Sequence, residues 1–380
     1  MKPMEILKIV PYAQACTQDA SFVPNQQQLM SAAGDFLCPL PAYPIPELAR
    51  PLFFHEGKRP TEALNYSYPA RYLHELPSAR LLTSMYAVIT HNHLLISDSY
   101  HHSERLEQTG EFKTRHMQIQ SDNGGTEKLN FALHQANQAK GPPQKLAGAS
   151  YLPFYYWHHN YHHWLLECLP LLLAYAEDHD PAHMRLLLPP DLNAFQKSAL
   201  DVLEIPESAR FPYPAQGLLC ETLCVPDLGK FSAPQLNHTR SYLWQKLGLT
   251  PQPTRKLYVS RQHASGRRVL NEAELLPLLQ AEGFEILYLE KLSFVEQIQH
   301  FSEAAVIMGP HGAGLTNLLF AAKQTQIIEL LPNDAINHCF WIMASALEQR
   351  YTYLTGNVKN AQRDFMVSAT QLQDLLHLLQ

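Results

Sequence analysis

The sequence predicts an α/β protein built from two Rossmann-like domains, on three observations. From Leu146 onward, short apolar runs alternate with amphipathic stretches of about ten residues, the signature of βαβ units and a parallel sheet. A Pro-bearing break, TPQPTR (Thr250 to Arg255), divides that text into two halves. The second half contains AAVIMGPHGAGLTNLLF (Ala304 to Phe320), a buried-strand pattern running through a glycine turn into a helix start.

In chain order, residues 1–80 are proline-rich and weakly periodic, and PLPAYPIPELARP (Pro39 to Pro51) reads as an extended segment laid over a domain. YAVITHNHLLIS (Tyr86 to Ser97) is apolar on both sides of His91-Asn92-His93 and predicts a β-hairpin. A polar stretch, Gln108 to Lys145, holds the loop SDNGG (Ser121 to Gly125). Strands are expected at Ala147–Leu152, Met184–Leu188 and Leu218–Val225, and helices at Asn160–Ala176, Leu192–Leu203 and Thr239–Leu247. This first α/β domain is bounded at residues 81–249.

The second domain, residues 255–367, opens with a strand at Lys256–Ser260. Asn271 with Glu274 three residues on predicts a capped helix that Gly283 ends. A strand at Glu285–Leu289 follows, and Ser293 with Glu296 caps a helix to Phe301. Strands at Ala304–Met308 and Gln326–Leu330 flank the glycine turn, and residues 368–380 form a leucine-striped C-terminal helix. In such sheets ligands bind beyond the carboxyl ends of the strands.

Composition narrows the function. At 380 residues the chain is long enough for two cores, and a net charge of −6 argues against nucleic acid as a partner. No stretch reaches the ~20 apolar residues of a membrane span, and the N-terminus makes a poor secretory signal because Glu5 and Lys8 interrupt its apolar patch. The six cysteines include no Cys-x-x-Cys pair, which fits reduced, buried thiols in a cytoplasmic protein.

Three constellations carry chemistry. A glycine turn at a helix start aims N–H groups at one point, which suits a phosphate. Here Gly312, Ala313 and Gly314 form that turn, His311 stands inside it and Asn317 follows. Leu315 replaces the lysine of a P-loop and Asn317 the third glycine of a dinucleotide fingerprint, so neither motif is complete. A structural turn is the other reading. Next, SRQHASGRR after the Lys256–Ser260 strand brings Arg261, His263, Arg267 and Arg268 to the same strand edge, where guanidinium forks match phosphate oxygens. Glu329, near the end of the strand after the turn, can accept from ribose hydroxyls or pair with one of these arginines.

The third is YYWHHNYHHWLLECLPLLL (Tyr155 to Leu173). On a helix Asn160, His163 and Glu167 share a face, and His163 with Glu167 four residues on makes an acid–base pair. Trp157 and Trp164 can pack on the core or stack on a sugar ring. His158, His159 and His162 raise metal binding, but HExxH is absent and no cysteine or aspartate set completes a ligand shell. No metal is expected.

Together these segments resemble glycosyltransferase family 61. The matching text is NYHHWLLECLPLL (Asn160 to Leu172), KLYVSRQHASGRRVLNEAEL (Lys256 to Leu275), GFEILYLEKLSFVEQI (Gly283 to Ile298), VIMGPHGAGLTNLLF (Val306 to Phe320) and IIEL (Ile327 to Leu330), in that order and spacing. The resemblance covers roughly residues 80–332. It implies a GT-B-like fold, with the two domains facing a central cleft, and transfer of a sugar from a nucleotide sugar, with inversion, to a glycan or other hydroxyl acceptor. By that analogy Arg261, Arg268, His311, Gly312, Ala313, Gly314, Asn317 and Glu329 form the donor side. His163 and Glu167 are catalytic, with Asn160 and Trp164 on the acceptor side. Glu167 departs from the aspartate expected after the helix histidine, which lengthens the arm and leaves either residue of the pair as base. A UDP-sugar is the expected donor, with no cofactor and no metal, because no D-x-D stands at a strand end of the first α/β half. The alternatives are a metal-dependent hydrolase using the histidine cluster and a non-catalytic nucleotide-binding protein of the same fold.

Overall fold

The computed structural model describes residues 27–39, 64–68, 71–82, 141–227, 231–334 and 337–378, together with short strands at 8–10, 87–89, 94–96, 111–113 and 118–120. Most of PLPAYPIPELARP, the His91–His93 tip and the SDNGG loop lie outside the described residues. The fold is mixed α/β, in two compact units: Met1–Ala33 with Pro69–Lys230, and Gly34–Tyr68 with Phe231–Gln380.

Unit 1 is built on a nine-stranded mixed sheet. Its parallel part comprises β2 (Gln144–Tyr151), β3 (Met184–Leu188), a short edge strand at Arg210–Pro212 and β4 (Leu218–Pro226). Two helices, α1 (Leu169–Asp178) and α2 (Ala194–Val202), cross over between these strands. The chain builds outward from β2 through β3, then returns to place β4 on the other side of β2. The β2/β4 boundary is therefore a topological switch point. A long strand, β1 (Arg71–Leu82), pairs antiparallel with β4 and carries the hairpin strands Ala87–Ile89 and Leu94–Ile96 on its far side. That hairpin matches the sequence expectation. Strand β1 does not: it runs through the boundary expected at residue 80. Its inward residues Leu76, Ala79 and Leu81 join Leu187, Leu218 and Leu223 in the core, so burial against β4 overrides the weak periodicity and Pro77.

Unit 2 begins, in its continuous part, with α3 (Ala233–Lys246). Its Arg240 and Trp244 donate to the carbonyls of Ala321 and Phe320 at 2.9 and 3.0 Å. This helix thus packs on the second unit, and the division falls at Lys230/Phe231 instead of at the Pro-bearing break 250–255. Strands β5 (Arg255–Val259), β6 (Phe284–Leu287), β7 (Ala304–Pro310), β8 (Gln326–Pro332) and β9 (Arg350–Val358) form a parallel sheet in the order β6-β5-β7-β8-β9. An antiparallel edge follows, β10 (Phe365–Met366). This is a doubly wound sheet whose switch point lies between β5 and β7.

Helices α4 (Glu272–Ala281), α5 (Phe294–Ser302), α6 (Cys339–Ala346) and α7 (Ala369–Leu378) belong to this unit. Leu275, Met308, Ile328 and Leu372 lie in one core cluster. The capping box of Ser293 and Glu296 forms as expected, at 3.2 and 2.7 Å. The Asn271 cap does not. Its amide instead exchanges two hydrogen bonds with the backbone of Val367, at 2.8 and 3.1 Å, tying α4 to the segment before α7. The expected α-helix after the glycine turn is a 3-10 helix, Ala313–Phe320. Asn317 fixes it by donating to Gln297 of α5 at 2.8 Å and back to the Gly314 carbonyl at 3.1 Å. A two-stranded hairpin, Gly34–Cys38 with Leu64–Tyr68, also belongs to unit 2, where Trp341 of α6 donates to the Pro39 carbonyl at 2.7 Å. Among the described residues no helix is long and apolar enough to cross a membrane.

Candidate functional site

Both groups of candidate residues stand at switch points, each in its own unit. In unit 2 the carboxyl end of β5 leads into Arg261 and that of β7 into His311. Gly309, near the end of β7, has no room for a side chain, since a Cβ there would lie 2.9 Å from the Val259 carbonyl. That closeness lets the β7 turn approach the end of β5. Gly312 is buried beneath the Arg261 guanidinium, and a Cβ on it would fall 1.9 Å from Nη1. The first N–H groups of a 3-10 helix have no intrahelical acceptor, so the turn at Gly312, Ala313 and Gly314 presents donors beside a guanidinium. Arg261 itself donates from Nη2 to the Gly266 carbonyl at 3.0 Å, while its Nε is buried with no hydrogen-bond partner. Burial, and then the neighbouring Arg267 charge, push its pKa down to about 10.

The other donor-side residues divide. His311 places Nδ1 2.5 Å from Oε1 of the fully buried Glu329, and its ring packs edge-on against Phe340 at 5.2 Å. The second Glu329 oxygen accepts from the Tyr351 hydroxyl. Glu329 is thus neither a surface group open to ribose nor an arginine partner. With both oxygens engaged inside the sheet, it orients the His311 ring through Nδ1, and Nε2 is the ring nitrogen that Glu329 does not engage. Arg268 is held by Asp364, with Nη2 and Nε at 2.6 and 3.1 Å and its backbone N–H at 2.9 Å. That pair ties the strand-end loop to the segment before β10, so Arg268 is not brought to Gly312. Asn317 is buried in the structural contacts already described.

In unit 1, β2 leads to Tyr155 and a 3-10 turn, Tyr156–His159. Asn160 is exposed and caps the next turn, Tyr161–His163, accepting from the His162 N–H at 3.0 Å. The helix then widens into a π segment, Trp164–Cys168, with the Leu169 N–H bonded to the Trp164 carbonyl. Pro170 explains the widening. It has no N–H for the Leu166 carbonyl and its ring crowds that position. Single π turns recur at functional sites, and Glu167 sits in this one.

His163 Nδ1 lies 3.1 Å from Glu167 Oε1 and 3.1 Å from the Tyr155 hydroxyl. Trp157 stacks on the His163 ring at 5.8 Å, while Trp164 is fully buried against Phe195. The aromatic face beside the pair is therefore that of Trp157. Trp164, next to His163 in sequence, points about 100° away on a helix and into the core. Glu167 Oε2 is buried with no hydrogen-bond partner. Burial pushes the Glu167 carboxyl up to about 8, against the pull of the Arg71 charge.

The histidine cluster gathers elsewhere in unit 1. His158, His159 and Asp191 bring one ligand atom each within 4.8 Å of one another, a set that suits zinc. The aspartate comes from the loop after β3, a partner that sequence spacing did not supply. Gln196 accepts the Asn193 N–H at 2.8 Å through Oε1, which makes its Nε2 the donor to His158 Nδ1 at 3.3 Å and to the His158 carbonyl at 3.0 Å. Nδ1 of His158 is then an acceptor and Nε2 carries the ring proton, so a cation has to displace one or the other.

Comparison with known proteins adds the family. The model of the glycosyltransferase 61 family matches residues 161–328. Three relatives share shorter segments. Alpha-1,3-arabinosyltransferase XAT2 of Oryza sativa subsp. japonica is 33% identical over 82 residues, covering 20% of this chain and 14% of the relative. The EGF domain-specific O-linked N-acetylglucosamine transferase of Drosophila melanogaster is 36% identical over 103 residues, 26% of this chain and 19% of the relative. Alpha-1,3-arabinosyltransferase XAT3 of Oryza sativa subsp. japonica is 30% identical over 90 residues, 23% of this chain and 15% of the relative. The matched stretches thus span less than a fifth of each relative. The family match runs from the first turn of the His163 helix to the middle of β8, so over residues 161–328 this chain is similar to the glycosyltransferase 61 family.

Proposed function

We propose that this protein is a glycosyltransferase of GT-B type that moves a sugar from a nucleotide sugar, with UDP as the leaving group, to a hydroxyl acceptor with inversion. The observation that carries the reading is the Arg261 guanidinium seated on Gly312 at the switch point of a doubly wound sheet. Three donor N–H groups and a cation there match the charge that grows on a departing diphosphate. Such pre-placed donors cost no reorganisation as the anomeric C–O bond breaks.

His163, held at Nδ1 by Glu167 and Tyr155, accepts the acceptor hydroxyl proton at Nε2. The hydroxyl oxygen attacks the anomeric carbon from the face opposite the diphosphate. The electron pair of the broken bond leaves with the β-phosphate, beside Arg261 and the turn N–H groups. His311, oriented by Glu329, adds a further polar contact. No step requires a metal, because the guanidinium and N–H groups carry the leaving charge.

The test is a panel of nucleotide sugars against mixed glycan acceptors, with the product's anomeric configuration read by NMR. Transfer with inversion is expected from a UDP-sugar. Donor binding in thermal-shift assays without turnover on any acceptor favours a non-catalytic binding protein instead.

A further inference from the structure

Two arginines follow Gly266, and the structure gives them opposite roles. Arg268 is locked onto Asp364. Arg267 has no such partner: its Nε is buried and without a hydrogen bond among the described residues, as is Nε of Arg261. Its position is also built. The Arg267 backbone adopts the left-handed conformation at φ +54°, uncommon for a residue with a side chain. Its N–H is pinned to the Gln362 carbonyl at 3.0 Å, and the preceding Gly266 lies so close to that carbonyl that a Cβ would approach to 2.7 Å. The Arg268 N–H bond to Asp364 clamps the other side at 2.9 Å.

The clamp directs Arg267 to a definable place. Arg261, which covers Gly312, donates from Nη2 to the Gly266 carbonyl at 3.0 Å, on the peptide bond that leads into Arg267. Arg267 therefore follows directly on the carbonyl that holds the Arg261 guanidinium. Two like charges held together, each with an orphaned buried Nε, form an arrangement that an anion of more than one charge completes.

We propose that Arg267, and not Arg268, is the second guanidinium of the anion site, and that Arg261 and Arg267 together bind the two phosphates of a diphosphate. The proposal rests on the donor-side reading above, but requires only the diphosphate and neither the base nor the sugar. The Arg268 backbone N–H bond to Asp364, which does not depend on the Arg268 side chain, fixes the loop just after Arg267.

Inorganic pyrophosphate is the probe, since it carries the shared chemistry without nucleoside or sugar. Calorimetry on the full chain should show Arg267→Ala weakening pyrophosphate roughly 10-fold or more, the loss of one charge-assisted contact. Arg267→Gly should weaken it equally while suiting the left-handed backbone, so that strain from alanine is separated from loss of the guanidinium. Arg267→Lys should recover part of the affinity as a point charge. Arg268→Ala should lower the melting temperature and leave pyrophosphate affinity near wild type. Unchanged affinity in folded Arg267→Gly overturns the proposal, as does a wild-type protein that does not bind pyrophosphate. Pyrophosphate binding that follows Arg267, in a protein that transfers no sugar from any nucleotide sugar, upholds the anion site and overturns the transferase reading alone.

Discussion

Replacing Glu167 by glutamine should remove a pH-dependent cost from unit 1. The Glu167 carboxyl rises from an ordinary 4.5 to about 8, chiefly through burial. Between those values the folded protein holds a proton that the unfolded chain releases, so stability falls as pH rises. The contribution is fully present below the unfolded value and is lost as pH climbs through the folded one. At ~1.36 kcal/mol per unit the interval amounts to roughly 3–5 kcal/mol, the lower end allowing for the His163 contact and the partial exposure of the carboxyl. Glutamine keeps the shape and cannot ionise. Urea titrations of both proteins at several pH values provide the assay, and subtracting them cancels the titrations elsewhere in the chain. Glu167→Gln minus wild type should become more favourable by up to ~1.4 kcal/mol per pH unit between pH 5 and 8. A difference that stays flat over that range would refute the raised carboxyl.

In the proposed mechanism the same pair sets the rate. Below pH ~8 a protonated Glu167 donates to His163 Nδ1 and leaves the proton on Nε2, so transfer should rise with pH toward that value; a rate constant with no rising limb would contradict it. His163→Ala should cut kcat ~100-fold or more with donor affinity nearly unchanged, and near-native turnover in a folded variant would put the base elsewhere. Gly312→Ala should displace the Arg261 guanidinium and weaken UDP binding in calorimetry, because the added Cβ would lie 1.9 Å from Nη1; wild-type affinity would separate Arg261 from the anion. Transfer should survive exhaustive EDTA, whereas loss on chelation with recovery in manganese would assign the leaving charge to a cation.

Much of the fold is legible in the chain because its signals are local. The strand–helix alternation after Leu146, the Ser293 capping box and the glycine turn after β7 each depend on residues within a few positions of one another. Pro170 was also a readable sign, since a proline near the start of α1 leaves the Leu166 carbonyl without its usual partner and opens the π turn. The strand β1 was not legible, because its burial against β4 comes from a segment far along the sequence.

What the sequence by itself determined is the α/β class, the glycine turn at a strand end, and the spacing that pairs His163 with Glu167. What only the tertiary structure decided is which partner each charged residue takes. Three arginines within one loop look equivalent in sequence. Asp364, nearly a hundred residues away, takes Arg268 and leaves Arg261 over Gly312. Glu329 meets His311 and Tyr351 because β7, β8 and β9 are neighbours in the sheet. Helix α3 joins unit 2 because Arg240 and Trp244 find carbonyls at the end of the 3-10 helix. Periodicity comes from the backbone repeating itself over a few residues, and so it can be read along the chain. A long-range hydrogen bond or ion pair forms only when folding brings its two ends together, and no local pattern encodes which ends those are.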